Sequence, residues 1–240
     1  MSGHSKWANI KHRKESVDKK KGKIFSTMAK MITIAAKNGG DPEMNPGLRL
    51  AIEKAKSVNM PNDNIERAIK KGTGKDKEEQ LEEVFYEAFG PNGIPLIIEA
   101  ITDNKNRTLS ELRHILLQYN GRMGETGSVK WMFNQKGVIE LSLGSKNKEE
   151  LELMAIDAGA EDVKWIDDIL EVYTKPEDLE NAKKNLEKSG IKIENVSLDW
   201  VPKDEITIED ESVKKQLEKL FETLDENEDV KEIYSNVTLE

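Results

Sequence analysis

The apolar residues of this 240-residue chain keep one period up to about residue 78 and lose it there. Before that point they recur every three or four positions, the spacing of a helix face; after it stretches that alternate, the spacing of half-buried strands, are interleaved with further helical ones. Such a chain packs helices against each other first and builds sheets afterwards. In the first part Ile24, Phe25, Met28, Met31, Ile32, Ala35 and Ala36 fall on one helix face, and Asn38-Gly39-Gly40 ends it. Asn45-Pro46 has the form of an N-cap followed by proline at the first helical position. Leu48, Ala51, Ile52, Ala55 and Val58 then make an apolar stripe that Met60-Pro61 stops. Asn62 or Asp63 is expected to cap a third helix with Ile65, Ala68 and Ile69 inward, closed by Gly72-Thr73-Gly74.

The second part opens after a polar stretch at 75–80. Residues 82–89 alternate, Gly90-Pro91-Asn92-Gly93 is a turn, and 94–102 is an apolar run suited to a buried strand. Residues 109–119 form an amphipathic helix with Leu109, Leu112, Ile115 and Leu116 inward, and 129–133 is expected to be a strand. Further on, 138–143, 169–174 and 191–201 read as strands, with helices at 148–158 and 176–189, the latter starting on Pro176. A short strand at 205–208, a helix at 213–224 and a last strand at 230–237 complete the chain. Neither 79–134 nor 204–240 makes a full sheet alone. They are expected to complete each other around an insertion. The expected domains are 1–78 (basic arm and helical domain), 79–134 with 204–240 (split α+β domain) and 135–203 (inserted α+β domain). The fold class is α+β: a three-helix domain followed by two small α/β sandwich domains of ferredoxin-like type, one inserted in the other.

Charge is divided as unevenly as period. Residues 1–77 carry 18 Lys/Arg against 8 Asp/Glu, a net +10, whereas 78–240 carry 19 against 38, a net −19. A basic front on an acidic body points to a polyanion partner and orients the front toward it. The first 23 residues hold Lys6, Lys11, Arg13, Lys14, Lys19, Lys20, Lys21 and Lys23 against Glu15 and Asp18, with few apolar residues to order them. Cysteine is absent, which removes disulfides, thiolate chemistry and Cys-based metal sites. No apolar run reaches the ~20 residues of a membrane helix and the N-terminus lacks a signal-peptide core, so a cytoplasmic protein without a membrane partner is expected.

Lysine and arginine at the density of the arm neutralise phosphates and release counterions, and Trp7 and His12 stand among them as candidates for stacking on bases. Packing of Trp7 onto the helices is the alternative. Arg49 is a candidate phosphate contact on the second helix. The segment Asp103-Asn104-Lys105-Asn106-Arg107-Thr108 joins a strand to a helix; it either presents Lys105 and Arg107 at an anion-favouring helix N-terminus or serves as a loop capped by Thr108. Gly124-Glu125-Thr126-Gly127-Ser128 has the look of a phosphate loop but lacks the Gly-Lys-Ser/Thr ending, which favours a turn. His4, His12 and His114 have no metal-site spacing, and Asp167-Asp168 reads as a solvated turn. No catalytic motif stands out, and neither an enzyme, a cofactor nor a metal is expected.

Several runs resemble the YebC/PmpR family: residues 3–14 (Gly-His-Ser-Lys-Trp-Ala-Asn-Ile-Lys-His-Arg-Lys), Asn45-Pro46 with 48–52, Asn59-Met60-Pro61 with 64–69, Lys71-Gly72-Thr73-Gly74, Thr102-Asp103-Asn104 with 106–108, and 124–129 with Trp131-Met132-Phe133. The resemblance covers nearly the whole chain and is looser in its C-terminal third. It implies a helical domain and two α+β domains, one inserted in the other. It implies a DNA-binding transcriptional regulator; relatives that act on translation in mitochondria imply the alternative, a ribosome-associated factor that contacts rRNA or tRNA and relieves stalling on proline-rich sequences. No catalytic residues carry over. The basic residues of the opening are the positions for nucleic-acid contact.

Overall fold

A computed structural model describes residues 17–74, 81–144 and 146–238, with side chains from Gly22 onward. In chain order the elements are α1 (Val17–Ala36), α2 (Pro46–Ser57), α3 (Asn62–Thr73), β1 (Glu82–Phe89), β2 (Pro95–Thr102), α4 (Lys105–Gln118), β3 (Arg122–Met123), β4 (Phe133–Ser142), α5 (Lys148–Asp157), β5 (Asp162–Ile166), β6 (Ile169–Thr174), α6 (Leu179–Lys188), β7 (Ile193–Pro202), β8 (Ile206–Thr207), α7 (Glu211–Glu226), β9 (Val230–Ser235) and β10 (Val237–Thr238). The described residues fall into two compact units, one of 17–130 with 209–235 and one of 131–208 with 236–238.

The first unit begins with the three helices. Their shared core is Met28, Ile32 and Ala36 of α1, Leu48, Ala51 and Ala55 of α2, and Ile65 and Ala68 of α3, with Met60 between the last two helices. Asn45 locks the entry to α2. Its side-chain oxygen accepts from Leu48 N at 3.0 Å, and its amide donates to the Ala35 and Gly39 carbonyls at 2.8 Å each. One buried side chain thus caps one helix and ties down the end of another. A Cβ on Gly72 would stand 2.3 Å from the Thr33 carbonyl oxygen, so only glycine lets α3 approach α1 this closely. The expected cap on α3 is not formed: Asn62 is already helical, and Pro61 occupies the cap position without a side-chain hydrogen bond. Proline's fixed φ presets the turn, and no side-chain cap is needed to start it.

The same unit holds an antiparallel sheet of order β3-β1-β2-β9. Every residue of β2 is buried. Leu112 and Leu116 of α4 and Leu217, Leu220, Phe221 and Leu224 of α7 are buried as well, and Tyr119 Oη shares a hydrogen bond with Thr223 Oγ1 at 2.8 Å across the two helices. The strand expected at 129–133 is instead a 3-10 turn at Lys130–Met132. The reason is local. The Val129 and Lys130 amides are bound by the Glu87 carboxylate at 2.6 and 2.7 Å and cannot enter a ladder. The chain turns extended only at Phe133.

The second unit runs β4-α5-β5-β6-α6-β7 and forms an antiparallel sheet of order β5-β6-β4-β7, the split βαβ arrangement of ferredoxin-like domains. Its core gathers Ile139, Leu141, Leu151, Ala155, Leu170, Val172, Leu179, Ala182 and Leu186. The edge strand β5 is faint in the sequence, because Asp162 is exposed, the other four residues are only partly buried, and the alternation is weak. The helix expected from 176 starts as a 3-10 turn and becomes α-helical at Leu179. The last strand is split as well: β9 ends at Ser235, and β10 pairs in parallel with β8 in the second unit.

Candidate nucleic-acid interface

Lys6, Trp7, Lys11, His12, Arg13 and Lys14 lie outside the described residues. Lys19, Lys20 and Lys21 fall in the opening turns of α1, so the basic run feeds directly into a helix. Lys23 stands 3.8 Å from Asp225 of α7. Arg49 is anchored by a bond from Nη1 to the Pro42 carbonyl at 3.2 Å. Sequence reasoning passed over the outward residues of α3. Arg67 donates to the Asp63 carbonyl at 3.2 Å and to the Asn64 side chain, and Lys70 and Lys71 are exposed in the last turn. The signal was available in the helical period itself, since 67 and 70 lie opposite Ile65 and Ala68.

The 103–108 segment resolves in favour of a cap, provided by Asn104 rather than Thr108. Asn104 Oδ1 accepts from Arg107 N at 3.1 Å and starts α4, which puts Lys105 and Arg107 inside the first turn. Both cations are engaged within the protein. Lys105 pairs with Glu82 at 2.6 Å, and Arg107 Nη2 reaches Asp103 at 2.8 Å and Asp229 at 2.9 Å. Thr108 is buried and donates to Asp229 at 2.7 Å.

Asp229 collects four side chains. Lys30 of α1 binds one oxygen at 2.9 Å; Arg107, Thr108 and Thr102 bind the other, Thr102 at 3.1 Å. Burial alone would raise its pKa. The bonds from Arg107, Lys30 and Thr108 outweigh burial and bring the carboxyl down to about 2. Lys30 also donates to the Ile101 and Glu228 carbonyls at 3.2 and 2.9 Å, so it clamps the first helix to the sheet. A groove of about 960 Å³ runs beside this clamp, with Arg67, Lys71 and Arg107 facing Glu111, Glu226 and Glu228. Its mixed charge gives it no preference for a polyanion.

The 124–128 loop cradles an anion, and the anion is the protein's own. The Glu87 carboxylate accepts from the Gly127, Val129 and Lys130 amides at 2.6, 2.6 and 2.7 Å. Burial pushes this carboxyl up, but the three amides and Lys130 prevail and hold it below the usual range. The loop's likeness to a phosphate site is therefore real in geometry, with Glu87 in the phosphate's place. Asp167 and Asp168 form the β5–β6 hairpin turn, with Asp167 at φ 51°. His114 hydrogen-bonds Gln118 at 3.1 Å. Among the described residues no cluster of His, Asp and Glu is arranged to hold a metal ion, and no helix is long and apolar enough to cross a membrane.

Comparison with known proteins covers the chain almost end to end. Residues 5–75 match the family model of the TACO1/YebC protein N-terminal domain, and residues 81–237 match that of the TACO1/YebC second and third domain. A probable transcriptional regulatory protein of Halothermothrix orenii is 50% identical over 239 residues, 98% of this chain and 94% of that protein. One of Thermoanaerobacter pseudethanolicus is 50% identical over 242 residues, 100% of this chain and 98% of its own length. The crystal structure of a conserved hypothetical protein from Aquifex aeolicus superposes with a TM-score of 0.90 at 44% identity, covering 98% of this chain and 97% of that one.

Proposed function

Because the chain belongs to the TACO1/YebC family, we propose that it is a nucleic-acid-binding regulator of gene expression, acting on DNA in the cytoplasm as a transcriptional regulator. The observation that carries this is the net +10 of residues 1–77 set against −19 for the rest, in a chain half identical to proteins named as probable transcriptional regulators. The contacts are assigned to Lys6, Trp7, Lys11, His12, Arg13, Lys14, Lys19, Lys20, Lys21 and Lys23, continued by Arg49. Lys105 and Arg107 contribute less, since each already serves an internal carboxylate. Binding through phosphates needs no reacting group, and the family's names describe regulation rather than catalysis.

A second reading is favoured by α2 and α3. Their outer faces mix Arg49, Lys56, Arg67 and Lys70 with Glu53, Asp63 and Glu66, and no cluster of Arg, Asn and Gln is set to read base edges in a major groove. Recognition by shape and backbone suits structured RNA. A ribosome-associated factor touching rRNA or tRNA, easing synthesis of proline-rich segments, is the alternative. Duplex-DNA filter binding and ribosome co-sedimentation, each across a salt series, separate the two. The Lys11→Glu/Arg13→Glu/Lys14→Glu variant is expected to abolish whichever binding exists. Unchanged affinity in that variant rejects the arm as the contact surface.

A further inference from the structure

The sheet of the second unit has two edges, and they are unlike. β5 is five residues long and carries Asp162 and Lys164, charges that blunt an edge. β7 runs for ten residues and sets Val196, Leu198 and Trp200 on one face. That face is the helix side, since Val196 pairs with Ile139 of the core and Leu198 with Gly137. Lys203 N donates to Met132 O at 2.9 Å. The pairs in step with it, Val201 with Asn134, Asp199 with Lys136 and Ser197 with Val138, are therefore the ones that exchange hydrogen bonds with β4. The amides and carbonyls of Val196, Leu198 and Trp200 point away from β4, and those of Val196 and Leu198 meet no other described backbone group. Leu198 keeps 45% of its surface exposed. This open stretch is bounded at both ends. Pro202 has no amide to offer, and the register shift between Glu140 and Leu141 leaves Glu194 as an extra residue in β7. Leu198 lies midway between the two.

We propose that this edge is an interface between two copies of the chain, joined antiparallel across a two-fold axis at Leu198. Leu198 then pairs with its own counterpart and Val196 with Trp200 of the partner subunit, each pair exchanging two hydrogen bonds. No other two-fold register uses all three outward residues, because a shift in either direction sets one of them against Pro202 or the Glu194 bulge. The side chains agree with this register. The two exposed leucines cover each other, and valine against tryptophan is a favourable β-branched–aromatic cross-strand pair. At the ends Glu194 comes beside Lys203 of the partner subunit, opposite charges on both sides of the axis. Trp200 has a further interaction in its own chain, so Val196 and Leu198 carry the contact. An edge-to-edge contact is small, which makes the dimer one of the reversible, transient class. A dimer carries two copies of the basic arm, and bivalency strengthens the hold on a long polyanion without a new contact; this consequence, unlike the dimer itself, rests on the nucleic-acid reading above.

The full chain, free of nucleic acid, is followed by sedimentation velocity from about 5 µM to about 500 µM, the span in which transient contacts of this size form. Its mass is expected to climb from 27.2 kDa toward twice that value. Leu198→Lys sets a charge against its own copy at the axis and is expected to raise the dissociation constant at least ~10-fold. Leu198→Pro removes the central outward amide while the β4 ladder keeps its bonds, and is expected to do the same. Leu198→Lys, a change at an exposed position, decides the matter if Leu198→Pro fails to fold by circular dichroism. The chain has no cysteine, so Leu198→Cys puts a single thiol on the axis. Across a hydrogen-bonded pair the Cα atoms stand about 5.5 Å apart, within disulfide reach, and mild oxidation is expected to cross-link this variant at least ~10-fold faster than Leu153→Cys, whose site on α5 is also exposed. A chain that stays at 27.2 kDa throughout, a dimer that Leu198→Lys leaves intact, or cross-linking no faster in Leu198→Cys than in Leu153→Cys overturns the edge contact. None of these readouts involves nucleic acid, so the role of the arm stands or falls separately.

Discussion

Asp229→Asn tests the clamp that holds α1 to the sheet. The substitution keeps the shape and one acceptor but removes the charge that faces Lys30 and Arg107, each at 2.9 Å. Lys30 is 21% exposed and Asp229 only 7%, so that pair is poorly reached by water; Arg107 is 46% exposed and its share is correspondingly small. A charge-assisted bond contributes about 1.5–3 kcal/mol when sheltered and about 0.2–1 kcal/mol at the surface, which gives about 2 kcal/mol for the pair after allowance for exposure. Linkage gives a similar figure. A carboxyl held at about 2, against an ordinary 3.8, contributes about 1–2 kcal/mol once solvent screening is allowed for. Its pKa is lowered on folding, so the contribution is full above pH 3.8 and fades as pH falls toward 2. The assay follows urea unfolding with two probes. Five of the seven described helices belong to the first unit, so the far-UV signal reports mainly on it, whereas Trp165 and Trp200 lie in the second. Asp229→Asn is expected to lower the far-UV midpoint by the equivalent of about 2 kcal/mol at pH 7, less at pH 3, with the tryptophan midpoint unmoved. Equal shifts in both probes, or a deficit that does not shrink between pH 7 and pH 3, refutes the clamp as the source.

Other perturbations have equally direct readouts. Gly72→Ala forces a methyl to 2.3 Å from the Thr33 carbonyl and is expected to destabilise the helical bundle by about 2 kcal/mol, seen as a lower far-UV Tm. Glu87→Gln puts an amide donor where three backbone donors point; it is expected to cost about 2 kcal/mol and to speed hydrogen exchange at Gly127, Val129 and Lys130 while other sheet amides stay protected. Burial raises the Glu99 carboxyl to about 7 against the pull of Lys231, with Glu83 adding to the rise. The folded chain therefore holds this proton more tightly than the unfolded one. The resulting stability is present below pH 4.5 and lost as pH climbs through 7, and Glu99→Gln is expected to flatten that segment of the stability–pH curve.

Much of the fold is written in local pattern. Asn45-Pro46, the glycine stops and the two periods locate helices and strands because caps and binary patterns act over a few residues. What failed to show is what depends on distant partners. Nothing near 129 announces that Glu87, 42 residues earlier, takes its amides and prevents a strand. Nothing near 105 announces that Asp229 claims Arg107. The candidate site divides in the same way. The basic arm is legible as composition, but β7 becomes an edge only once the order of its sheet is laid out.

The position of β9 also sets an order of events during synthesis. Its neighbour β2, buried along its whole length, has left the ribosome 127 residues before Val230 appears. At about 5–20 residues per second that is an interval of roughly 6–25 s in which an apolar strand edge is without its natural cover. The intervening β4–β7 sheet draws all four strands from 133–202 and needs no segment from either side to close its ladder. The middle of the chain can therefore mature while the flanking sheet waits for its tail, and a truncation before Val230 would leave β2 as an open template for aggregation.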